Sequence, residues 1–269
     1  MITAHTQPWL ITPEAYCELA TVLHRVEAGP FALPGKEPET TPAPENGLLT
    51  LPMHGTVLRQ VPERTKNILA AYDVEVTDAT ALARDLLAAR DNPEVRCVLL
   101  DIDSPGGTVN GTPELAAAVR SLSREKFVYA YTAGMACSAA YWVASQCDGI
   151  YAAPSARVGS IGVILPITDS SGLYEKFGLK VDVFAAGRYK SVGLDGTSLT
   201  DEQRDLLQQQ VESTWADFKA AVNRRRTVDA SLMEGQTFTG KQARENGLVD
   251  ACSNSLASVQ YKQTMRHGL

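Results

Sequence analysis

The sequence predicts an α/β fold on three observations. Cys97-Val98-Leu99-Leu100-Asp101-Ile102 is a short, nearly continuous apolar run, the pattern of a strand covered on both faces of a sheet. From residue 48 onward, strand-like and helix-like segments alternate along the chain. A glycine-rich loop follows the buried strand, at the carboxyl end where α/β folds place their ligands.

The elements follow in order. Thr12 as N-cap, Pro13 at the first helical position and apolar Tyr16, Leu19, Ala20 and Leu23 predict a helix to about residue 26, an appendage to the main fold. Residues 29–46 carry Pro30, Pro34, Pro38, Pro42 and Pro44, a composition that packs no core and reads as an extended linker. Strands are expected at 48–51 and 55–61, a loop at 62–76, and a helix from Thr77 to about 90 that ends at Asn92-Pro93. Beyond the 97–102 strand come a helix at 113–122 and a strand at 127–131. Strands at 149–152, 158–165 and 179–185 follow, with a short helix at 172–177. A long helix from about 200 to 226 has Leu206, Leu207, Val211, Trp215, Phe218 and Val222 as its apolar stripe. The run Arg224-Arg225-Arg226 forms its solvated end. A short capped helix covers 239–247, and the polar stretch after Cys252 reads as a loosely held tail. The resulting division is a helical extension (1–28), a linker (29–46), a main domain (47–250) and a tail (251–269).

Composition narrows the function. With 269 residues, 44% hydrophobic and 21% charged, the chain buries a sizeable core as a globular protein. A net charge of -6 argues against nucleic acid or anionic membrane as partner, since both select a basic surface. Five scattered cysteines without CxxC spacing suggest neither a disulfide framework nor a zinc site. The first ten residues lack the pattern of a leader, and no run approaches the ~18 apolar residues of a membrane span. The expected setting is reducing and cytoplasmic.

Four short stretches carry the candidate chemistry. In 134–145, Ser138 sits in a small-residue turn opening an apolar, helix-compatible run. A serine there either caps the helix or, with its hydroxyl exposed beside outward N–H groups, serves acyl transfer. The loop Ser104-Pro105-Gly106-Gly107 is either a tight turn or an oxyanion hole and peptide rail, since paired glycines admit close backbone approach. Gly159-Ser160-Ile161-Gly162 is either a glycine-bracketed bulge or a place where Ser160 orients another side chain. Lys190 is either a solvated surface lysine or a base. A lysine of pKa ~10.4 is a poor base at neutral pH, and desolvation lowering it by ~3 units, about 4 kcal/mol, brings it into working range. His5, His24 and His267 lie in terminal or appended segments, and His54 reads as a core-edge or turn residue, so a Ser-His-Asp triad is disfavoured. Cys137 reads as a packed small residue.

Taken in order and spacing, Ser104-Pro105-Gly106-Gly107, the Ser138 turn, Gly159-Ser160-Ile161-Gly162 and Lys190 resemble the signal peptide peptidase A family of serine peptidases, over residues 47 to about 250. Within it the chain is most similar to the phage capsid maturation proteases of the lambda type. The resemblance implies a Clp-protease/crotonase-like spiral fold and a Ser-Lys dyad. Ser138 would be the nucleophile, Lys190 the base, the N–H groups of Gly106 and Ala139 the oxyanion hole, Ser160 the partner orienting the lysine, and Gly107 a substrate-binding position. It further implies a peptide or protein substrate such as a capsid or scaffold protein, a ring-shaped homo-oligomer, and neither metal nor organic cofactor. Where many relatives have Ser-Gly-Gly, this chain has Ser138-Ala139-Ala140, a change bearing on cleft shape. Three other readings stay open: a soluble housekeeping peptidase of the same family, a catalytically silent assembly scaffold, and a crotonase-type acyl-thioester enzyme.

Overall fold

The structure is a computed structural model and describes residues 8–27 and 42–269; most of the proline-rich segment and the first seven residues, His5 among them, lie outside the described residues. Along the chain, β1 (Trp9–Ile11) and α1 (Pro13–Glu27) precede β2 (Leu48–His54), β3 (Thr56–Leu58), α2 (Glu63–Ala70), β4 (Val76–Asp78) and α3 (Ala79–Asp91). Next come β5 (Cys97–Asp103), β6 (Gly106–Thr108), α4 (Thr112–Leu122), β7 (Phe127–Thr132), β8 (Met135–Cys137), α5 (Ala139–Ala144), β9 (Gly149–Ala152) and β10 (Arg157–Gly159). The remainder holds α6 (Ser171–Lys176), α7 (Asp201–Asn223), β11 (Thr237–Thr239), α8 (Gly240–Glu245), β12 (Ala251–Cys252) and α9 (Leu256–His267).

The apolar 97–102 run is the inner strand it was expected to be. A five-stranded sheet in the order β12-β9-β7-β5-β2 is parallel throughout. Because side chains alternate along a strand, Val98, Leu100 and Ile102 of β5 enter the main core with Leu86 of α3 and Val119 of α4. Cys97 and Leu99 join Tyr129, Tyr151 and Val259 of α9 on the other face. Each of β2, β5, β7 and β9 is followed by a short strand that leaves this sheet. β3 and β6 enter a sheet ordered β1-β6-β3-β4, and β8 and β10 one ordered β11-β10-β8. Helices α3, α4 and α5 then return the chain, and this repeated strand–strand–helix winding is the expected α/β spiral.

Several local expectations are corrected. The 62–76 stretch is not all loop: α2 forms there and buries Leu69. The cap of α3 is Asp78 and not Thr77. One Asp78 carboxylate oxygen accepts from Ala81 N (2.9 Å) and the other from Val61 N (2.9 Å), while Thr77 Oγ1 donates to the His54 carbonyl (2.7 Å). The strand expected at 158–165 ends at Gly159, and the one expected at 179–185 makes no ladder among the described residues. Arg225 and Arg226 are not a solvated helix end: they pair with Asp148 (2.7 Å) and Asp250 (2.6 Å). The stretch 251–269 is not loosely held, since β12 pairs with β9 and α9 docks through Val259. The polarity of α9 hid this contact: its buried Gln263 uses its amide to reach the Tyr151 hydroxyl (3.1 Å).

Helix α5 is all buried although only six residues long, too short to be stable by itself. Tertiary contacts hold it: Trp142 stacks on Phe218 of α7 (4.8 Å), Gln146 Nε2 donates to the Ala221 carbonyl (2.9 Å), and the Tyr141 hydroxyl donates to the Leu248 carbonyl (2.9 Å). Tyr141→Phe leaves that carbonyl unsatisfied in the core and is expected to lower unfolding free energy by about 1–2 kcal/mol, read from urea denaturation.

Candidate active site

The three-residue strand β8 is where the distant motifs meet. On one edge Ser104 N donates to the Met135 carbonyl (2.8 Å) and Cys137 N to the Ser104 carbonyl (3.1 Å). On the other edge β8 runs parallel to β10, with Cys137 opposite Gly159. Ser138 N then donates to the Gly159 carbonyl (2.8 Å). Segments starting at residues 104, 138 and 159 are thereby drawn around one point.

Ser138 occupies that point in an unusual conformation, φ 52° and ψ -118°. Among the described residues, only Asn46, Asp73, Ser138 and Ser160 are non-glycine residues with positive φ, so two of the four are serines singled out from the sequence. Such backbone strain, held in place by surrounding structure, concentrates at functional sites. Ser138 stands at the start of α5 without capping it through its side chain. Its Oγ instead lies 3.5 Å from the Gly162 carbonyl, the limit of a hydrogen bond. The cap reading of this serine is therefore not met.

Gly106 shows why a glycine is needed in the facing loop. Its φ is +106°, and a side chain there would collide with the Leu10 carbonyl while standing 2.9 Å from Ser138 Cβ and 3.0 Å from Ala139 N. Gly106 and Ala139 thus flank Ser138 together. As the first residue of α5, Ala139 has an N–H without an intrahelical acceptor. The Gly106 N–H donates to Ser104 Oγ (3.2 Å), and the Ser104 hydroxyl donates to the Gly55 carbonyl (2.6 Å), which pins the loop to the turn after β2. Gly107 lies in the β6 ladder between Leu10 and Val57.

Ser160 follows Gly159 and is nearly buried, with φ 52° and its N–H donating to the Gln236 carbonyl (2.6 Å). Lys190 lies exposed in a turn where its N–H donates to the Gly187 carbonyl (3.1 Å), and no hydrogen bond or ion pair among the described residues joins it to Ser138 or Ser160. The folded single chain therefore brings Ser138, Gly106 and Ala139 together, with Ser160 one residue from the Gly159 anchor, and bonds Lys190 to neither serine among the described residues. Cys137 is buried, and burial pushes its thiol up to about 12, so it stays protonated at neutral pH. Among the described residues no cluster of three or more His, Cys, Asp or Glu could hold a metal ion, and no helix is long and apolar enough to cross a membrane.

Sequence reasoning missed strand β1. Trp9, Leu10 and Ile11 pair antiparallel with Thr108, Gly107 and Gly106, beside Ser138. The consecutive apolar residues immediately before Thr12-Pro13 were the available signal, too short to show a period.

The chain as a whole has relatives among known proteins. Residues 120–266 match the model of peptidase family S49, and the chain belongs to that family. It is similar to the head-tail preconnector protein GP5 of Enterobacteria phage P21, 30% identical over 88% of this chain and 47% of that one. It is also similar to the capsid assembly protease C of Escherichia phage lambda, 29% identical over 80% and 48%. A protein of Methanocaldococcus jannaschii that carries the name of a protease is 32% identical over 65% of this chain and 60% of its own. The chain thus spans about half to three fifths of the length of these relatives. Among solved structures, an enoyl-CoA hydratase/isomerase family member aligns over 84% of this chain and 74% of its own, with a TM-score of 0.43 and 16% identity.

At the end of β2, one strand from the Ser104 loop, His54 Nε2 lies 3.2 Å from Asp101 Oδ2. The hydrogen bond to Asp101 raises the histidine pKa, against an opposing effect of partial burial. A folded-state pKa above the unfolded value of about 6.5 gives stabilisation that is complete below that value and is lost as pH rises through the folded pKa. The Tm advantage of the natural chain over His54→Gln should therefore be present at pH 5 and fade by pH 8. An advantage unchanged across that range would show that the pair contributes no titrating stabilisation.

Proposed function

We propose that the chain is a serine endopeptidase that cleaves capsid or scaffold proteins during phage head maturation in the cytoplasm. The observation that carries this is the strained, non-capping Ser138, buried against the N–H of Ala139 and the backbone of Gly106. In this reading Ser138 Oγ attacks the scissile carbonyl and its proton passes to Lys190. The resulting oxyanion is held by the Ala139 N–H and by the Gly106 N–H turned from Ser104. Lys190 returns the proton to the departing amine, and water then releases the acyl group from Ser138.

Lys190 enters the site on assembly. The segment around it exposes Leu173, Phe177, Leu179, Val183, Phe184 and Leu194, with Phe184 97% exposed. An apolar display of this kind suits packing against further copies of the chain. Burial in a ring would bring Lys190 to a serine and strip it of water, which a lysine base requires. The names of the phage relatives support the capsid role, and the family match favours peptide hydrolysis over acyl-thioester chemistry.

The exposure of Lys190, with no bond to Ser138 among the described residues, also suits a silent assembly scaffold, and one experiment separates the two readings. Cleavage of a candidate capsid protein by the natural chain should fall at least about 10³-fold in both Ser138→Ala and Lys190→Ala, as expected when a nucleophile or its base is removed. Reaction with a fluorophosphonate should disappear in Ser138→Ala. Undiminished turnover in Lys190→Ala would remove the dyad, and an inert natural chain at every protein concentration would favour the scaffold.

A further inference from the structure

Strand β1 lies where an extended peptide would have to lie to meet Ser138. One edge is paired antiparallel with β6, in the register Trp9–Thr108, Leu10–Gly107 and Ile11–Gly106, and Thr12 N donates to the Pro105 carbonyl (3.1 Å). The other edge is bonded to the segment that follows Ser160: Trp9 N donates to the Ile164 carbonyl (2.8 Å) and Ile164 N to the Trp9 carbonyl (3.0 Å). These two walls are the ones that flank the serine. The Leu10 carbonyl sits against Gly106, at the spot bounded by Ser138 Cβ and Ala139 N.

Side chains complete the match. Leu10 is fully buried in the main core, in the cluster that includes Val57, Ala139 and Ile161. Trp9 and Ile11 point the other way, into a small cluster with Leu19, Leu58 and Val61. Backbone pairing on both edges with alternate side chains in pockets is how a sheet edge receives a peptide strand.

From this we propose that β1 is an intramolecular occupant of the peptide cleft: Trp9–Ile11 hold the place of substrate, with Leu10 presented at Ser138, and the strand must leave before a protein substrate can bind. The inference rests on the reading of Ser138 as the centre of a peptide site. It adds to that reading a self-blocked state, opened by displacement of the first dozen residues. A tethered strand competes at a local concentration set by its linker, of order millimolar for a short one, so free peptides of ordinary affinity are largely excluded.

The test compares the full chain with a chain starting at Pro13 and with full-length Leu10→Asp, using two readouts. One is binding of a fluorescein-labelled peptide spanning residues 7–12, by anisotropy, and the other is the rate of fluorophosphonate reaction at Ser138. Both altered chains should bind the peptide at least about tenfold more tightly than the full chain and label at least about tenfold faster. Equal binding and equal labelling in all three would overturn the proposal while leaving Ser138 a reactive nucleophile. A gain in peptide binding with no labelling in any chain would uphold the occupied cleft and count against the peptidase reading. Should neither altered chain give a cooperative thermal transition, amide exchange in the intact protein decides. The Leu10 and Gly107 amides should exchange at least about tenfold faster than those of β5 and β7, through local opening. Protection of β1 equal to that of β5 would overturn the proposal.

Discussion

Pairing of β8 with neighbours on both of its edges is the constraint on which the site depends. Three residues are too few to be stable as an isolated strand. Here the strand is held by Ser104 on one side and β10 on the other, and the chain must turn sharply at its end to enter α5. The turn takes place at Ser138, which adopts a left-handed conformation because both of its neighbours in sequence are already committed, one to a sheet and one to a buried helix. The clamps on α5 from Phe218, Ala221 and Leu248 keep that strain from relaxing.

The same geometry explains what was legible in the sequence. β5 was legible because burial on both faces leaves a continuous apolar run, and α7 because its Thr200 cap and apolar stripe are local signals; α3 was legible from its apolar face although its cap is Asp78 and not Thr77. The candidate serines and glycines were legible because small residues in clusters mark close backbone approach, which Gly106 bears out against Ala139. α9 was not, because its contact face is made partly of Gln263, a polar residue whose partner lies 112 positions away. β1 was not, since three residues carry no period and their meaning lies in pairing with a distant strand.

The stretch 179–185 fails differently. Val181 and Val183 alternate with polar residues as strand residues do, yet no neighbour among the described residues pairs with them. Alternation alone does not make a strand, because a strand needs a second strand to form a sheet. Lys190 shares this segment. Its surroundings thus depend on how the segment packs, whereas the backbone around Ser138, Gly106 and Ala139 is already set in the folded single chain.

Because the five-stranded sheet is parallel, Ser138 and its glycine loop gather at the carboxyl ends of the strands, while the strand starts lie at the opposite pole. There Arg96 Nη2 donates to the Gly268 carbonyl (3.0 Å), and Leu269 comes against Gly47. The point where the chain enters β2 and the point where α9 finishes are therefore next to each other. Polypeptide joined after α9 would leave at this pole, facing away from the cleft, whereas the chain before β2 belongs to the stretch that begins with β1 and α1 beside Ser138. Cargo, tags or partner domains fused after α9 would be carried like luggage behind the molecule, adding nothing to what already stands before Ser138.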